Sequence, residues 1–238
     1  MAELVVGVMG GLGPIATHDF LGKVLAATGA ACDQEHLHLI IDNDPKVPNR
    51  NEAIAGRGPS AGPALAAMAR RLEDAGADFL VMPCNTASFY APEIRAATRV
   101  PFVGIVPETC AFVRERHPAV RRAGVLAAGG CRQARLYETA LAELGLEPVT
   151  ADDGEQARFM DLLYAIKAGA RGSATKAAMA ALGEALIERG AEVVIAGCTE
   201  VPLVLVNGDL GRPLVDSTAV LAEATVAYAK GRRTLPSA

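Results

Sequence analysis

The sequence predicts an α/β protein of two pseudo-symmetric lobes, each a four-stranded, mainly parallel sheet flanked by helices. Three observations lead there. Short apolar runs alternate with amphipathic helical stretches almost throughout, the pattern of parallel sheets covered by helices. Two stretches repeat one another: Gly76-Ala-Asp-Phe-Leu-Val-Met-Pro-Cys84-Asn-Thr and Gly190-Ala-Glu-Val-Val-Ile-Ala-Gly-Cys198-Thr-Glu. The repetition also extends along the chain. Gly7-Val-Met-Gly-Gly matches Gly124-Val-Leu-Ala-Ala, and Pro101-Phe-Val matches Pro213-Leu-Val, at offsets of 117 and 112 residues against 114 for the cysteines. A duplicated α/β unit accounts for all three pairs.

Taken in order, strands are expected at 4–9, 37–41, 79–83 and 101–105, then again at 123–127, 147–150, 193–197 and 213–215. The helix before Cys84 begins after Ser60 and Pro63, puts Leu65, Met68, Ala69 and Leu72 on one face, and stops at Gly76. The helix before Cys198 is expected to be capped by Ser173 or Thr175, shows Met179, Leu182, Leu186 and Ile187, and stops at Gly190. Residues 42–60 break the pattern and read as a long loop dense in turn formers, of the kind that is functional or disordered. The first lobe is placed at 1–107 plus 217–238, so that a last helix (217–231) returns to it, and the second at 108–216. The terminal KGRRTLPSA is polar and expected to be loose.

Composition bounds the function. At 238 residues and 51% hydrophobic content the chain can bury sizeable cores, and 27 acids against 23 bases leave no basic stripe for a nucleic-acid backbone. No apolar run approaches the ~20 residues a membrane span needs, and the N-terminal stretch has no basic flank of the kind a signal peptide carries. Cys32, Cys84, Cys110, Cys131 and Cys198 are odd in number and lack metal-ligand spacing, which argues against disulfides and structural zinc. Cytoplasmic, reduced thiols are expected, with no metal, no nucleic acid and no membrane partner.

Cys84 and Cys198 each fall at the carboxyl end of a strand, where open parallel sheets bind ligands. The start of the next helical stretch there favours an anion and is expected to lower a thiol's pKa. A helix terminus contributes only ~0.3–1 kcal/mol, whereas moving a thiol from pKa ~8.5 to ~7 needs about 2 kcal/mol, so side-chain donors such as Asn85, Thr86 and Thr199 are expected to help. Cys32, Cys110 and Cys131 are assigned to packing. The loop Met9-Gly-Gly-Leu-Gly-Pro14 suits close approach of backbone to an anion, with Met9, Gly10 and Gly11 at its front. It also fits a degenerate dinucleotide fingerprint, but weakly: the acidic partner is expected ~20 residues on at a strand end, whereas Asp42 and Asp44 come later and open the long loop. Arg50 can clamp a carboxylate through its planar fork and Lys167 can do so as a point charge; both can equally be solvated surface charges.

Five motifs, Met9-Gly-Gly-Leu-Gly-Pro14, Asn43-Asp-Pro-Lys-Val-Pro-Asn-Arg50, Met82-Pro-Cys-Asn-Thr-Ala87, Ala196-Gly-Cys-Thr-Glu-Val-Pro202 and Pro213-Leu-Val-Asp-Ser-Thr218, run in order along nearly the whole chain. Together they resemble the aspartate/glutamate racemase family of cofactor-independent, two-cysteine racemases, and most of all its aspartate racemase branch. The resemblance implies an active site in the inter-lobe cleft, a small amino-acid substrate, neither PLP nor metal, and commonly a homodimer. It implies that Cys84 and Cys198 are the catalytic acid/base pair. It further implies that Asn85, Thr86 and Thr199 hold the α-carboxylate and that Arg50 and Lys167 address the side-chain carboxylate; Met9, Gly10, Gly11 and Glu200 complete the expected substrate shell. The loop reads Pro-Asn-Arg where family members often have Pro-Asp-Arg.

The reaction so implied interconverts L- and D-aspartate, or a related amino acid such as glutamate, with one thiolate removing the α-proton and one thiol reprotonating the opposite face. Two alternatives share the scaffold. A maleate isomerase or arylmalonate decarboxylase would use a cysteine as nucleophile or single proton donor, and a non-catalytic bilobal protein would only bind a small carboxylate.

Overall fold

A computed structural model describes residues 3–236. Ser237 and Ala238, at the end of the polar tail, lie outside the described residues. The chain divides into two compact units: one runs through Ile105 and resumes at Thr218, the other spans Val106–Ser217.

The first unit is built on strands β1 (Val6–Gly10), β2 (Leu39–Asn43), β3 (Phe79–Val81) and β4 (Phe102–Val103), with helices α1 (Pro14–Thr28), α2 (Arg50–Ile54), α3 (Gly62–Asp74) and α4 (Ala91–Ala97) between them. Its sheet order is β2-β1-β3-β4 and every pairing is parallel, with Val6 opposite both Leu39 and Phe79. In the second unit, α5 (Ile105–Arg116), which starts at the end of the first unit, leads into β5 (Arg122–Ala127). Helices α6 (Gly129–Gln133) and α7 (Leu136–Glu143) follow, then β6 (Glu147–Val149), α8 (Asp153–Lys167), α9 (Ser173–Glu188), β7 (Val193–Gly197) and β8 (Leu214–Asp216). Its sheet order, β6-β5-β7-β8, is again wholly parallel and repeats the first. The last helix, α10 (Ser217–Ala229), belongs to the first unit from Thr218 onward; Leu4 N donates to Ala229 O at 3.0 Å and the Phe79 and Tyr228 rings meet edge to face.

The repeated Gly-Ala-acid motif has the same physical job in both units. Gly76 (φ +98°) and Gly190 (φ +92°) end α3 and α9 in a conformation that side chains resist. The following alanine closes a helix-ending bond, Ala77 N to Leu72 O and Ala191 N to Leu186 O, both 3.0 Å. Each alanine then faces a glycine of the central strand. A Cβ on Gly7 would stand 2.9 Å from Ala77 Cβ and 3.2 Å from Leu72 Cβ; one on Gly124 would stand 3.0 Å from Ala191 Cβ and 3.1 Å from Leu186 Cβ. The acid finally ties down the strand start: Asp78 accepts from Val5 N at 2.7 Å, and Glu192 from Arg122 N at 2.9 Å.

Helix α3 buries Leu65, Met68, Ala69 and Leu72, and α9 buries Met179, Leu182 and Leu186 with Ile187 half-buried. Each fully buried leucine contributes about 1.5–3 kcal/mol. Three expectations need correction. Residues 42–60 are not a plain loop, because β2 extends through Asn43 and α2 forms where the Asn49 side chain accepts from Asn51 N (3.0 Å) and Glu52 N (3.5 Å). Neither Ser173 nor Thr175 caps α9: Gly172 is the cap residue, in extended backbone, and makes no side-chain bond. Cys32 does not pack, because it is exposed. Among the described residues no helix is long and apolar enough to cross a membrane.

Two glycine substitutions are expected to act in opposite directions. At Gly11 (φ +89°) an added Cβ would lie 2.4 Å from the Asp44 carbonyl carbon, so Gly11→Ala should cost more than the ~1–2 kcal/mol of left-handed backbone alone. At Gly22, inside α1, nothing lies within 4 Å of the added Cβ, so Gly22→Ala should gain about 0.5–1 kcal/mol. Urea midpoints check both.

Candidate active site

In the first unit the chain leaves β3 at Val81 and stays buried through Met82 and Pro83 to Cys84, then through Asn85 and Thr86. A bond from Cys84 N to Met82 O (2.8 Å) turns the backbone, and a short 3₁₀ turn over Thr86–Tyr90 follows. The Cys84 thiol donates to Leu12 O at 3.7 Å. That carbonyl also accepts from Arg50 Nη2 at 2.7 Å, and Arg50 Nη1 donates to Val47 O (3.1 Å) and Pro48 O (3.0 Å). The guanidinium thus binds the 47–50 segment to the glycine loop, and both meet the thiol at one carbonyl.

The glycines of that loop answer to protein neighbours. A Cβ on Gly10 would lie 2.7 Å from Thr17 Cγ2, and Gly11 is pressed against the Asp44 backbone. Gly11 N donates to Thr17 Oγ1 at 3.0 Å, and the Met9 side chain is sealed in the core cluster that includes Cys84. The absent Cβ atoms expected to admit an anion at Gly10 and Gly11 therefore make room for Thr17 and Asp44.

In the second unit β7 ends at Gly197 and Cys198 follows at once, with Thr199 and Glu200 buried behind it and a 3₁₀ turn over Val201–Leu203. The Cys198 thiol donates to Glu200 Oε2 at 3.1 Å, the Thr199 hydroxyl reaches the same oxygen at 3.3 Å, and Glu200 Oε1 pairs with the Lys167 ammonium. Burial, and then the Glu200 carboxylate, push the Cys198 thiol well above its ordinary pKa, with Lys167 opposing. The expectation of a lowered pKa fails here. A single three-residue turn aligns too few peptide dipoles to offset desolvation plus a neighbouring carboxylate.

The end of β7 is held from behind by a side chain that sequence reasoning missed. A Cβ on Gly197 would stand 2.9 Å from Tyr137 Cε2, so the glycine before Cys198 lets the buried Tyr137 ring close on the strand. The Tyr137 hydroxyl is hydrogen-bonded with Thr109 and Ser217, and Ser217 Oγ donates to Ala196 O at 2.7 Å. Nothing in the amphipathic pattern of α7 marks Tyr137 as such a support. The Leu12 carbonyl was likewise invisible, because a backbone acceptor carries no side-chain signature.

Each unit therefore assembles its own set: Cys84 with Leu12 and Arg50, beside buried Asn85 and Thr86, and Cys198 with Thr199, Glu200 and Lys167. Two α/β units of one topology, each with a thiol just beyond the third strand in sequence, define a class. The chain belongs to the Asp/Glu/Hydantoin racemase family, whose model matches residues 9–225. It is 33% identical over 226 residues to the broad specificity amino-acid racemase RacX of Bacillus subtilis (strain 168), covering 93% of this chain and 96% of that protein. Among solved structures it is similar to the Picrophilus torridus aspartate racemase, at TM-score 0.82 and 26% identity over 95% of this chain and 94% of that one. It shares its fold with a glutamate racemase from Francisella tularensis subsp. tularensis SCHU S4, at TM-score 0.70 and 14% identity over 99% of this chain and 84% of that one.

Removing the charge beside Cys198 gives a direct check. In Glu200→Gln the thiol should ionise at lower pH, so the half-maximal pH of iodoacetamide labelling at Cys198, read by peptide mass, should fall. An unchanged midpoint would show that the carboxylate does not act on the thiol.

Proposed function

We propose that this chain is a cofactor-independent amino-acid racemase in which Cys84 and Cys198 are the two acid/base groups at the α-carbon. The observation that carries the reading is their equivalence. Each thiol lies just past the same strand of the same parallel sheet order, β3 in one unit and β7 in the other, and each already donates to an oxygen acceptor. Family membership and the racemase relatives support the same reaction class.

In the proposed cycle the two thiols address opposite faces of the substrate Cα. One, as thiolate, takes the α-proton, the C–H electron pair stays on carbon, and the other, as thiol, gives its proton to the opposite face. The α-ammonium and a hydrogen-bonded α-carboxylate lower the energy of the carbanion-like transition state, and Asn85, Thr86 and Thr199 are proposed to supply those bonds. Cys198, held protonated by burial and Glu200, is the proton donor of the resting protein.

Aspartate and glutamate are proposed as substrates within a range that does not demand an acidic side chain. Three of the five Arg50 N–H donors go to backbone carbonyls, and Lys167 is paired with Glu200. Neither cation is held waiting for a side-chain carboxylate. The broad specificity named for the Bacillus relative agrees with that reading.

Incubating an amino-acid panel with the protein in deuterated water should give α-deuterated product of the opposite enantiomer. No exchange and no enantiomer from any member of the panel would sink the proposal. Cys84→Ala and Cys198→Ala should each lower racemisation by about 10²–10⁴-fold, the usual worth of a positioned acid or base. Wild-type rates in either variant would refute the pairing.

A further inference from the structure

Lys167 is the last residue of α8, and its side chain is one-third exposed, whereas the Glu200 side chain it pairs with is 6% exposed. The two carboxylate oxygens of Glu200 are divided. Oε1 takes the ammonium; Oε2 takes the Cys198 thiol at 3.1 Å and the Thr199 hydroxyl at 3.3 Å. A carboxylate this buried needs a counter-charge, and Lys167 supplies it from the solvent side. Among the described residues the charged groups that bear most on Cys198 are Glu200 and Lys167, and it packs in an apolar core cluster with Phe159, Leu163, Val201 and Leu205 among its members.

We propose that Lys167 is a positioning residue for the Cys198 thiol, acting through Glu200, and not a receptor for the substrate's side-chain carboxylate. Glu200 accepts the proton when Cys198 must become the base. The Sγ–H bond breaks, the Oε2–H bond forms, and the electron pair stays on sulfur, so one negative charge moves from carboxylate to thiolate. Lys167 keeps its proton and faces one negative charge in both states, and the reverse transfer restores the thiol. The catalytic consequence rests on the two-thiol reading above; the effect on the thiol does not.

Lys167→Met keeps length and removes charge at a partly exposed position, and circular dichroism confirms its fold. In a Cys84→Ser background, iodoacetamide labelling of Cys198 should have its half-maximal pH raised by on the order of one pH unit. Lys167→Arg should restore it. With Cys84 intact, Lys167→Met should lower kcat by the same factor for aspartate and for the best substrate lacking a side-chain carboxylate, with both KM values unchanged. An unmoved labelling midpoint, or a rise in KM confined to aspartate and glutamate, overturns the inference. If no amino acid is racemised, the two-thiol reading fails on its own and the labelling result still decides the role of Lys167.

Discussion

The structure depends on a close approach made twice: a helix seated directly on a glycine of a central strand. Leu72 and Ala77 close on Gly7, and Leu186 and Ala191 close on Gly124, at distances that a Cβ would violate or crowd. Because the helix ends in a left-handed glycine, the chain reverses and starts the next strand alongside the one just covered. That strand is β3 in one unit and β7 in the other, and its carboxyl end carries the thiol. The position of Cys84 and Cys198 is thus a consequence of helix-on-glycine packing, and the acids Asp78 and Glu192 hold the same register by capping the neighbouring strand.

On this duplicated frame the two thiols meet different chemistry. Cys84 faces a neutral carbonyl that also receives a guanidinium, while Cys198 faces a carboxylate whose other oxygen receives an ammonium. A carbonyl can only accept a bond from a thiol; a carboxylate can also take the proton. Each cation reaches its thiol through an intervening acceptor. Symmetry of the fold therefore supplies two like groups, and the asymmetric acceptors make them unequal at rest.

Much of the fold was legible because its signals are local. Eight apolar runs, helix-stopping glycines and the repeated motif depend on residues within a few positions of one another, and all eight strands formed, with bounds shifted by up to two residues. What was misread turned on single hydrogen bonds or on exposure. Whether Asn49 nucleates α2 depends on its side chain reaching Asn51 N, whether Ser173 caps α9 depends on one backbone conformation, and whether Cys32 packs depends on what covers it. At Gly10 and Gly11 the absent Cβ atoms are required by Thr17 and Asp44, neighbours that the local sequence pattern does not reveal.

The sequence by itself determined that there are two equivalent strand ends and that each carries a cysteine followed by small polar residues, because strand, turn and thiol are neighbours along the chain. Only the tertiary structure decided what each thiol touches. Leu12 is 72 residues from Cys84, and Lys167 is 33 from Glu200, so their meeting depends on how loops and helices pack on the finished sheets. The ionisation of Cys198 follows from that packing, since burial and a carboxylate 3.1 Å away outweigh anything a three-residue turn can contribute.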